Sequence, residues 1–274
     1  MSAGLAVGEE AEAWLRLGAD LPSGVLRLVL ADVDGVVTPG EGRPALLSVL
    51  ERLAEINTAA LRDPWVPAVT LCTGRQAPYV EVMAQMTGAF LPCSFEHGAG
   101  LFFPRAFQYV FHPRLGDHHF AQVAAVRAAL DLRGRAFVQP GKEAMLTLFP
   151  LGETPLETIA EDARAAVAGL GLDFTVEMNV TGVEVRPPGI DKGEGCRWLA
   201  SLLGLSLERL AGVGDSDPDL AYLGLPDLGF SACPSNATPG TKAAVSYVSP
   251  AEDGEGLLDI LARVNEMNRA CGPS

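Results

Sequence analysis

A short apolar segment that ends in two aspartates constrains the fold of this chain more than any other feature. Residues 25–37 read VLRLVLADVDGVV, a mostly apolar run that reaches acidic residues and a glycine. Such a run is typical of a parallel strand buried on both faces that empties into a loop. Residues 44–57 and 77–86 follow helical spacing, and residues 66–72 form a second apolar run between them. This strand–helix alternation predicts an α/β domain with a parallel sheet and right-handed crossovers.

The pattern changes between residues 102 and 187, where short strand-like segments have hairpin spacing. The predicted strands there are residues 107–111, 144–149, 174–178 and 183–185, and the predicted helices are residues 120–132 and 156–170. The α/β alternation then returns, with helices at 193–203, 219–223 and 255–268 and strands at 210–214 and near residues 229 and 247. We therefore predict a Rossmann-like parallel-sheet core made of residues 1–104 and 187–274, interrupted by an inserted α+β module, residues 105–186.

Composition narrows the possible partners. The chain has 274 residues with 20 Lys and Arg against 34 Asp and Glu, a formal charge of −14, and 48% hydrophobic residues. Clustered basic residues, which nucleic acid binding requires, are absent from the sequence, and no apolar run approaches the roughly 18 residues of a membrane span. Glu9, Glu10 and Glu12 make the N-terminus an acidic, partly helical leader rather than a signal peptide. Five scattered cysteines without a CxxC pattern suit reduced thiols, so we expect a cytoplasmic protein.

Polar side chains are concentrated where predicted strands end and where one helix begins. They are Asp32, Asp34, Thr73, Lys192, Asp215 and Asp219. Any one of them alone is most often a turn or cap residue. Together they form a pattern, because residues two apart at a strand end face one cleft, and carboxylates that close repel each other unless a cation intervenes. Mg²⁺ is the oxygen-liking cation that fits best, and the sequence therefore predicts a magnesium site.

These residues resemble the four motifs of the haloacid dehalogenase superfamily phosphatases, in the right order and over nearly the whole chain. The motifs are DVDG at 32–35, TGR at 73–75, the lysine of DKG at 191–193, and GDSDPD at 214–219. The insert is similar to the larger α+β cap (C2B type) of the Cof-like, sucrose-phosphatase and trehalose-phosphatase branch. The sequence FEHGA at 95–99 stands where that branch often has Asn-Gly-Ala, and Asn236-Ala237 matches a common Asn-Ala pair.

The resemblance implies a role for each catalytic residue. Asp32 attacks phosphorus and forms an aspartyl-phosphate. Asp34 protonates the leaving alcohol and then deprotonates the hydrolytic water. Thr73 donates a hydrogen bond to a phosphoryl oxygen, and Lys192 pairs with Asp32 and the transferring phosphoryl group.

The same resemblance implies the ligands of the metal and of the substrate. Mg²⁺ is held by Asp32, the backbone carbonyl of Asp34, and Asp215, with Asp219 supporting it directly or through water. The expected substrate contacts are Thr73, Gly74, Arg75, Lys192 and Asn236. Two residues depart from the family pattern: Val36 replaces a common Thr, and Pro218 replaces the usual Asn. The second departure leaves open how Asp217 and Asp219 share the metal role.

The function expected from this resemblance is a Mg²⁺-dependent phosphatase that acts on a small phosphorylated metabolite, a sugar or polyol phosphate, through an aspartyl-phosphate. One alternative is a phosphomannomutase-like phosphotransferase, which needs clustered cap cations for a second phosphate. The cap cations are scattered: Arg105, Arg114, Arg127, Arg133, Arg135, Lys142, Arg164 and Arg186. The other alternative is a non-catalytic binding module on this scaffold. We expect a monomer or homodimer with no nucleic acid or membrane partner.

Several other polar residues allow more than one interpretation. His97 follows a predicted core strand, and structural packing is favoured over substrate contact. Arg75 either faces the cleft, contacting substrate or a core carboxylate, or forms a surface salt bridge. Asp117-His118-His119 suits a solvated helix start better than a metal site, because three adjacent residues rarely converge on one ion.

Overall fold

The computed structural model describes residues 7–40 and 42–272. The strands are β1 (Leu28–Ala31), β2 (Ala68–Leu71), β3 (Cys93–Phe95), β4 (Gly100–Phe103), β5 (Gln108–Phe111), β6 (Ala136–Val138), β7 (Leu146–Pro150), β8 (Thr175–Met178), β9 (Val183–Arg186), β10 (Leu210–Val213), β11 (Phe230–Cys233) and β12 (Tyr247–Val248). The α-helices are α1 (Glu9–Leu17), α2 (Leu47–Ala60), α3 (Ala77–Thr87), α4 (Asp117–Ala129), α5 (Leu156–Gly169), α6 (Lys192–Leu203), α7 (Leu220–Leu223), α8 (Pro239–Ala244) and α9 (Asp253–Ala270).

The core is a parallel sheet with strand order β12-β11-β10-β1-β2. Alternation along β1 explains why both faces are covered. Val29 and Ala31 pack with α2, α3 and α9 on one face, whereas Leu28 and Leu30 pack with α1, α6 and α7 on the other. Because side chains alternate along a strand, a continuous apolar run requires helices on both sides. The predicted α/β fold with a parallel-sheet core is confirmed.

The N-terminal segment is helical from Glu9 to Leu17, as the partly helical leader predicts. Trp14 is fully buried and contacts the edge of the Phe90 ring, and the guanidinium of Arg27 stacks over its indole at 4.3 Å. Arg27 also donates a hydrogen bond to the carbonyl of Trp14. These contacts anchor α1 on the core, and residues 1–6 lie outside the described residues.

A hairpin sheet joins the core to the insert. Its strand order is β3-β4-β5, with antiparallel pairing throughout, and the isolated bridge Cys72↔Ser94 connects it to the strand end after β2. The predicted boundary at residue 105 lies between β4 and β5. Strand β5 pairs with β4 through Leu101↔Val110 rather than with the sheet of the insert. We call the insert the cap.

The cap is a four-stranded antiparallel sheet, β6-β7-β9-β8, with α4 and α5 packed on one face. Leu148 and Val183 pair across β7 and β9 and belong to this apolar face. The opposite face carries Thr147 and Glu184, which are direct cross-strand partners. The period of two along each strand therefore gives the cap one apolar face and one polar face, and the polar face is turned to the core.

Most predicted helices and strands differ from the observed ones by a few residues at their ends. The first strand is shorter than its apolar run, because the backbone turns at Asp32 and continues into the loop that carries Asp34. Strands β4 and β6 and helix α8 were not predicted. Among the described helices, none has the length and apolar character that a membrane crossing requires.

Candidate active site

Asp32 lies at the floor of a cleft, directly after β1. Its backbone N–H donates to the carbonyl of Val213, which extends the parallel pairing of β1 and β10 by one residue and fixes the carboxylate at the sheet edge. The residue is 5% exposed, and its Oδ2 lies 2.9 Å from Nζ of Lys192. Burial raises the pKa of Asp32, Lys192 lowers it, and the carboxylates of Asp219 and Asp215 raise it further. The group needs a positive partner to remain ionised.

Lys192 supplies that partner from the first turn of α6. The helix begins at Asp191, whose side chain accepts the N–H of Glu194, so the lysine is held at a rigid helix start. Its ammonium donates to Asp219 Oδ1 at 2.6 Å and also contacts Asp32. Burial alone lowers the pKa of Lys192, but Asp219 and Asp32 raise it above its ordinary value. Lys192 is therefore a fixed cation at the floor of the cleft.

Asp219 organises the loop after β10 from beneath the cleft. It is fully buried, and its Oδ2 accepts the N–H groups of Asp215 and Ser216 at 2.9 and 3.0 Å and the hydroxyl of Ser216. Its other oxygen binds Lys192. Both oxygens are thus engaged by donors of the chain, and Asp219 fixes Asp215 and Lys192 relative to each other.

Asp215 has the properties of a metal ligand. Its Oδ1 is buried and has no hydrogen-bond partner in the described part of the chain. Burial and the carboxylate of Asp219 raise the pKa of Asp215 to about 7. Carboxylate oxygens of Asp32, Asp215 and Asp219 all lie within 4.8 Å of one another. A Cβ added at Gly35 would lie 2.4 Å from Asp215 Oδ2, so the opposite loop approaches as closely as only glycine allows. Crowded carboxylates with an unpartnered oxygen fit a hard divalent cation such as Mg²⁺.

Asp34 and Thr73 lie on neighbouring loops at the same edge of the sheet. Arg75 binds Asp34 with both prongs of its guanidinium, Nε to Oδ2 at 2.6 Å and Nη2 to Oδ1 at 2.7 Å. The hydroxyl oxygen of Thr73 accepts the N–H of Arg75 and keeps this loop tight. Of the two interpretations of Arg75, the structure places it against a core carboxylate that lines the cleft.

Asn236 ties the last loop of the core to the first. Its side-chain amide donates to the carbonyl of Gly35 at 2.9 Å, and its oxygen accepts the N–H of Asp253 at the start of α9. Asp253 has a φ of 47°, a backbone conformation that this hydrogen bond helps to hold. Asn236 thereby supports the DVDG loop at the rim of the cleft.

The cleft between core and cap has a volume of about 700 Å³. The predicted residues that line it are Asp32, Asp34, Thr73, Gly74, Arg75, Lys192, Asp215 and Asn236, whereas Asp219 lies behind this surface. The cap lining was not predicted. It combines the apolar side chains of Phe149, Met178 and Val180 with six polar residues: Gln139, Lys142, Thr147, Asn179, Thr181 and Glu184. The one sequence signal for this set is the alternation of apolar and polar residues along two predicted cap strands, because the polar positions must face away from the cap core.

His97 lies in the cleft lining, although packing was the favoured interpretation. It is 4% exposed, and its Nε2 lies 2.8 Å from Oε1 of the cap residue Glu184. His118 and His119 lie at the start of α4, where His119 Nδ1 accepts the N–H of Gly116. The expected helix-start role of this pair agrees with that contact.

Comparison with known proteins finds similar hydrolases and phosphatases. A family model described as haloacid dehalogenase-like hydrolase matches residues 153–261. The chain is 32% identical over 136 residues to a phosphoglycolate phosphatase of Pyrobaculum aerophilum, covering 50% of this chain and 57% of that protein. It is 26% identical to a phosphoglycolate phosphatase of Methanopyrus kandleri, covering 87% and 97%.

The fold matches that of a solved enzyme from the predicted branch. The sucrose-phosphatase of Synechocystis, solved with sucrose and phosphate, superposes with a TM-score of 0.62 at 15% identity, covering 87% of this chain and 98% of that one. Residues 153–261 thus resemble the haloacid dehalogenase-like hydrolases, the chain is similar in sequence to phosphatases, and its fold is that of the solved sucrose-phosphatase.

Proposed function

We propose that this chain is a Mg²⁺-dependent phosphatase that hydrolyses a small, hydroxyl-rich phosphomonoester, a sugar or polyol phosphate, with Asp32 as the nucleophile. One observation carries the proposal above the others. Asp32 is a buried carboxyl group at the floor of an open cleft, and its Oδ2 lies 2.9 Å from Nζ of Lys192. A carboxylate in this position is a nucleophile that is fixed in place and shielded from bulk water.

The reaction divides into two steps on residues of the chain. In the first, a carboxylate oxygen of Asp32 bonds to phosphorus, the bond from phosphorus to the leaving oxygen breaks, and Asp34 gives that oxygen a proton. In the second, water attacks the phosphorus of the aspartyl-phosphate, Asp34 takes a proton from this water, the bond from phosphorus to the Asp32 oxygen breaks, and inorganic phosphate leaves. Lys192 and the hydroxyl of Thr73 face the charge that develops on the phosphoryl oxygens, which is the main contribution expected in phosphoryl transfer.

The acidic pocket needs a cation before a phosphate dianion can enter. Asp32 and Asp215 would hold Mg²⁺, with the carbonyl of Asp34, and the ion supplies charge neutralisation for the phosphoryl group. Asp219 supports this arrangement through its contacts with Lys192 and with the N–H of Asp215. The unpartnered buried Oδ1 of Asp215 is the observation that favours a metal here.

The cap end of the cleft favours a leaving group with hydrogen-bonding groups. Its lining combines a buried ammonium, Lys142, with the hydroxyl of Thr147 and the carboxylate of Glu184. Lys142 donates to Thr147, and Thr147 is the cross-strand partner of Glu184. The volume lies within the usual 300–1,000 Å³ of small-molecule sites. Phosphoglycolate, the substrate named for the relatives, is the natural competitor in a substrate panel.

Hydrolysis is favoured over transfer to a second phosphate-bearing substrate. Arg186 lies 3.7 Å from Glu184 of the cleft lining. Five of the eight cap cations form ion pairs with carboxylates outside that lining: Arg105–Glu10, Arg114–Glu194, Arg133–Asp131, Arg135–Asp162 and Arg164–Glu157. A mutase needs clustered cations that face the cleft, and these arginines are engaged elsewhere. Their arrangement supports a hydrolase.

Phosphate release with Mg²⁺ tests the proposal. The panel is glucose 6-phosphate, sucrose 6-phosphate, glycerol 3-phosphate, phosphoglycolate, a nucleotide and p-nitrophenyl phosphate. We expect turnover that is lost in Asp32→Asn and in EDTA, and that is retained in Asp227→Asn, which removes an exposed acid outside the cleft. If the wild type binds Mg²⁺ but releases phosphate from no substrate of the panel, the proposal of a phosphatase is overturned and a binding module is favoured.

A further inference from the structure

The turn Glu96–Gly98, which we call the cap-contact turn, has an unusual backbone. Glu96 and His97 adopt positive φ values of 47° and 54°, and Gly98 follows at 90°. Residues other than Gly, Asn, Asp and His seldom adopt this conformation, and Glu96 is such a residue. A glutamate and a histidine that adopt it in succession are kept there by their surroundings, and such strain concentrates at functional sites.

His97 contacts both sides of the cleft. Its backbone N–H donates to the carbonyl of Thr73 at 3.0 Å, and its imidazole packs directly on Gly74, where an added Cβ would lie 2.3 Å from Nε2. Its Nε2 contacts Oε1 of Glu184 on β9. His97, Lys142 and Arg186 lower the pKa of Glu184 against the effect of burial, so the carboxylate is ionised and Nε2 is the donor.

Glu96 repeats this arrangement beside it. Its backbone N–H donates to the carbonyl of Arg75 at 2.9 Å, on the same loop that His97 contacts. Its carboxylate accepts the backbone N–H groups of Glu143 and Ala144, which belong to the cap, with the shortest distance 2.8 Å. In both of these successive residues, the backbone N–H therefore binds the Thr73–Arg75 loop and the side chain binds the cap.

We propose that Glu96 and His97 are positioning residues that fix the cap against the Thr73–Arg75 loop, with His97 orienting the Glu184 carboxylate toward the leaving group. This inference rests on the proposed function, because it assigns the two ends of the cleft to phosphoryl and leaving group. A role in core packing alone would not require an ionised partner from the cap or an imidazole placed on a glycine of the catalytic loop. The spacing between the two ends of the cleft is set by this turn.

His97→Asn tests the proposal, because asparagine suits the left-handed backbone but is too short to reach Glu184. We expect kcat/KM for glucose 6-phosphate, or for phosphoglycolate if that is hydrolysed faster, to fall at least tenfold more than kcat/KM for acetyl phosphate, whose leaving group is small. Glu184→Gln should show the same preference. The double variant should lose less than twofold beyond the larger single effect, because the two residues act as one unit. His118→Asn, on the cap surface, is the matched histidine control and should behave as the wild type.

Hydrogen–deuterium exchange provides a readout that does not depend on catalysis. In His97→Asn, backbone amides 143–147 should exchange at least tenfold faster than in the wild type, while those of β1 and β10 stay unchanged. Equal losses for both substrates, or additive effects of His97→Asn and Glu184→Gln, or unchanged exchange at 143–147, would overturn the proposal. If the wild type hydrolyses neither phosphate, the proposed function fails, and the exchange comparison still decides whether the turn fixes the cap.

Discussion

Arg75 and Asp34 form a two-pronged ion pair at the entrance to the phosphoryl site, with both hydrogen bonds shorter than 2.8 Å. Both groups are partly buried, at 17% and 29% side-chain exposure, so the pair keeps one defined geometry. The guanidinium also lies 5.0 Å from the ring of Tyr79, which limits its movement. In the proposed role of general acid, Asp34 carries a proton on one oxygen, so Arg75 has to release one of these two hydrogen bonds when Asp34 is protonated.

Asp34→Asn should therefore lower kcat/KM for alkyl phosphates by about 10²–10⁴-fold, the usual contribution of general acid catalysis. The loss should be smaller for p-nitrophenyl phosphate, because p-nitrophenolate leaves without a proton. Arg75→Gln should show the same substrate dependence with a smaller loss, since it misplaces the acid and leaves it present. Steady-state kinetics on both substrates check this.

Arg105→Gln, which removes a surface arginine paired with Glu10, is the control and should match the wild type. Equal losses on alkyl and p-nitrophenyl phosphates in Asp34→Asn would contradict the assignment of Asp34 as the acid.

Asp215→Asn should stabilise the protein without metal and abolish its response to metal. Burial and Asp219 raise the pKa of Asp215 to about 7, so its charge is unfavourable when no cation is bound. In EDTA at pH 8 the neutral amide should raise the unfolding midpoint by roughly 2–4 °C, about 1 kcal/mol. Mg²⁺ should raise the midpoint of the wild type and leave that of Asp215→Asn unchanged. Differential scanning fluorimetry measures both effects, and a full Mg²⁺ response in the variant would place the ion elsewhere.

The floor of the cleft could be predicted from the sequence because its parts follow a local rule. Asp32, Thr73 and Asp215 come directly after or soon after buried strands, and the carboxyl ends of parallel strands meet at one edge of the sheet. They come together because β1 lies between β10 and β2 in the sheet. The parallel core could also be predicted, because its strands are continuous apolar runs.

The roof of the cleft could not be predicted in this way. Glu184 faces the cleft only because β9 pairs with β7 in the register Thr147↔Glu184, and a shift of one residue would turn it into the apolar core of the cap. The role of His97 depends on that register and on a left-handed backbone that its sequence does not favour. Strand β5 was assigned to the cap because its exposed, amphipathic residues do not indicate which sheet they join.

Glu96→Gln should change how stability depends on pH. Burial raises the pKa of Glu96 to about 7, and the backbone N–H groups of Ala144 and Glu143 offset part of that rise. When the pKa of a carboxyl group is higher in the folded state than in the unfolded state, the group stabilises the fold at pH values below its ordinary pKa of 4.5. This contribution is lost as the pH rises through 7. The stability of the wild type relative to Glu96→Gln should fall by up to about 3 kcal/mol between pH 4.5 and pH 8. Urea unfolding at several pH values measures the difference.

Glu153→Gln, on the exposed surface of the cap, is the matched control and should run parallel to the wild type. A difference between wild type and Glu96→Gln that stays constant with pH would mean that Glu96 is already ionised throughout this range.

Gly35→Ala should remove activity by displacing a metal ligand on the opposite loop. Gly35 has a φ of +78°, and an added Cβ would lie 2.4 Å from Oδ2 and 2.7 Å from Cγ of Asp215. An alanine at this positive φ costs about 1 kcal/mol of stability through backbone strain alone. In addition, the contact of its Cβ forces Asp215 to move. We expect kcat/KM to fall at least about 100-fold, the scale of a lost charge-stabilising contact, with weaker Mg²⁺ binding by calorimetry. Gly204→Ala is the control, because Gly204 has a φ of +62° and an added Cβ would meet nothing within 4 Å. It should lose similar stability and keep full activity, so a matching loss of activity in both variants would trace the effect to backbone strain and not to the position of Asp215.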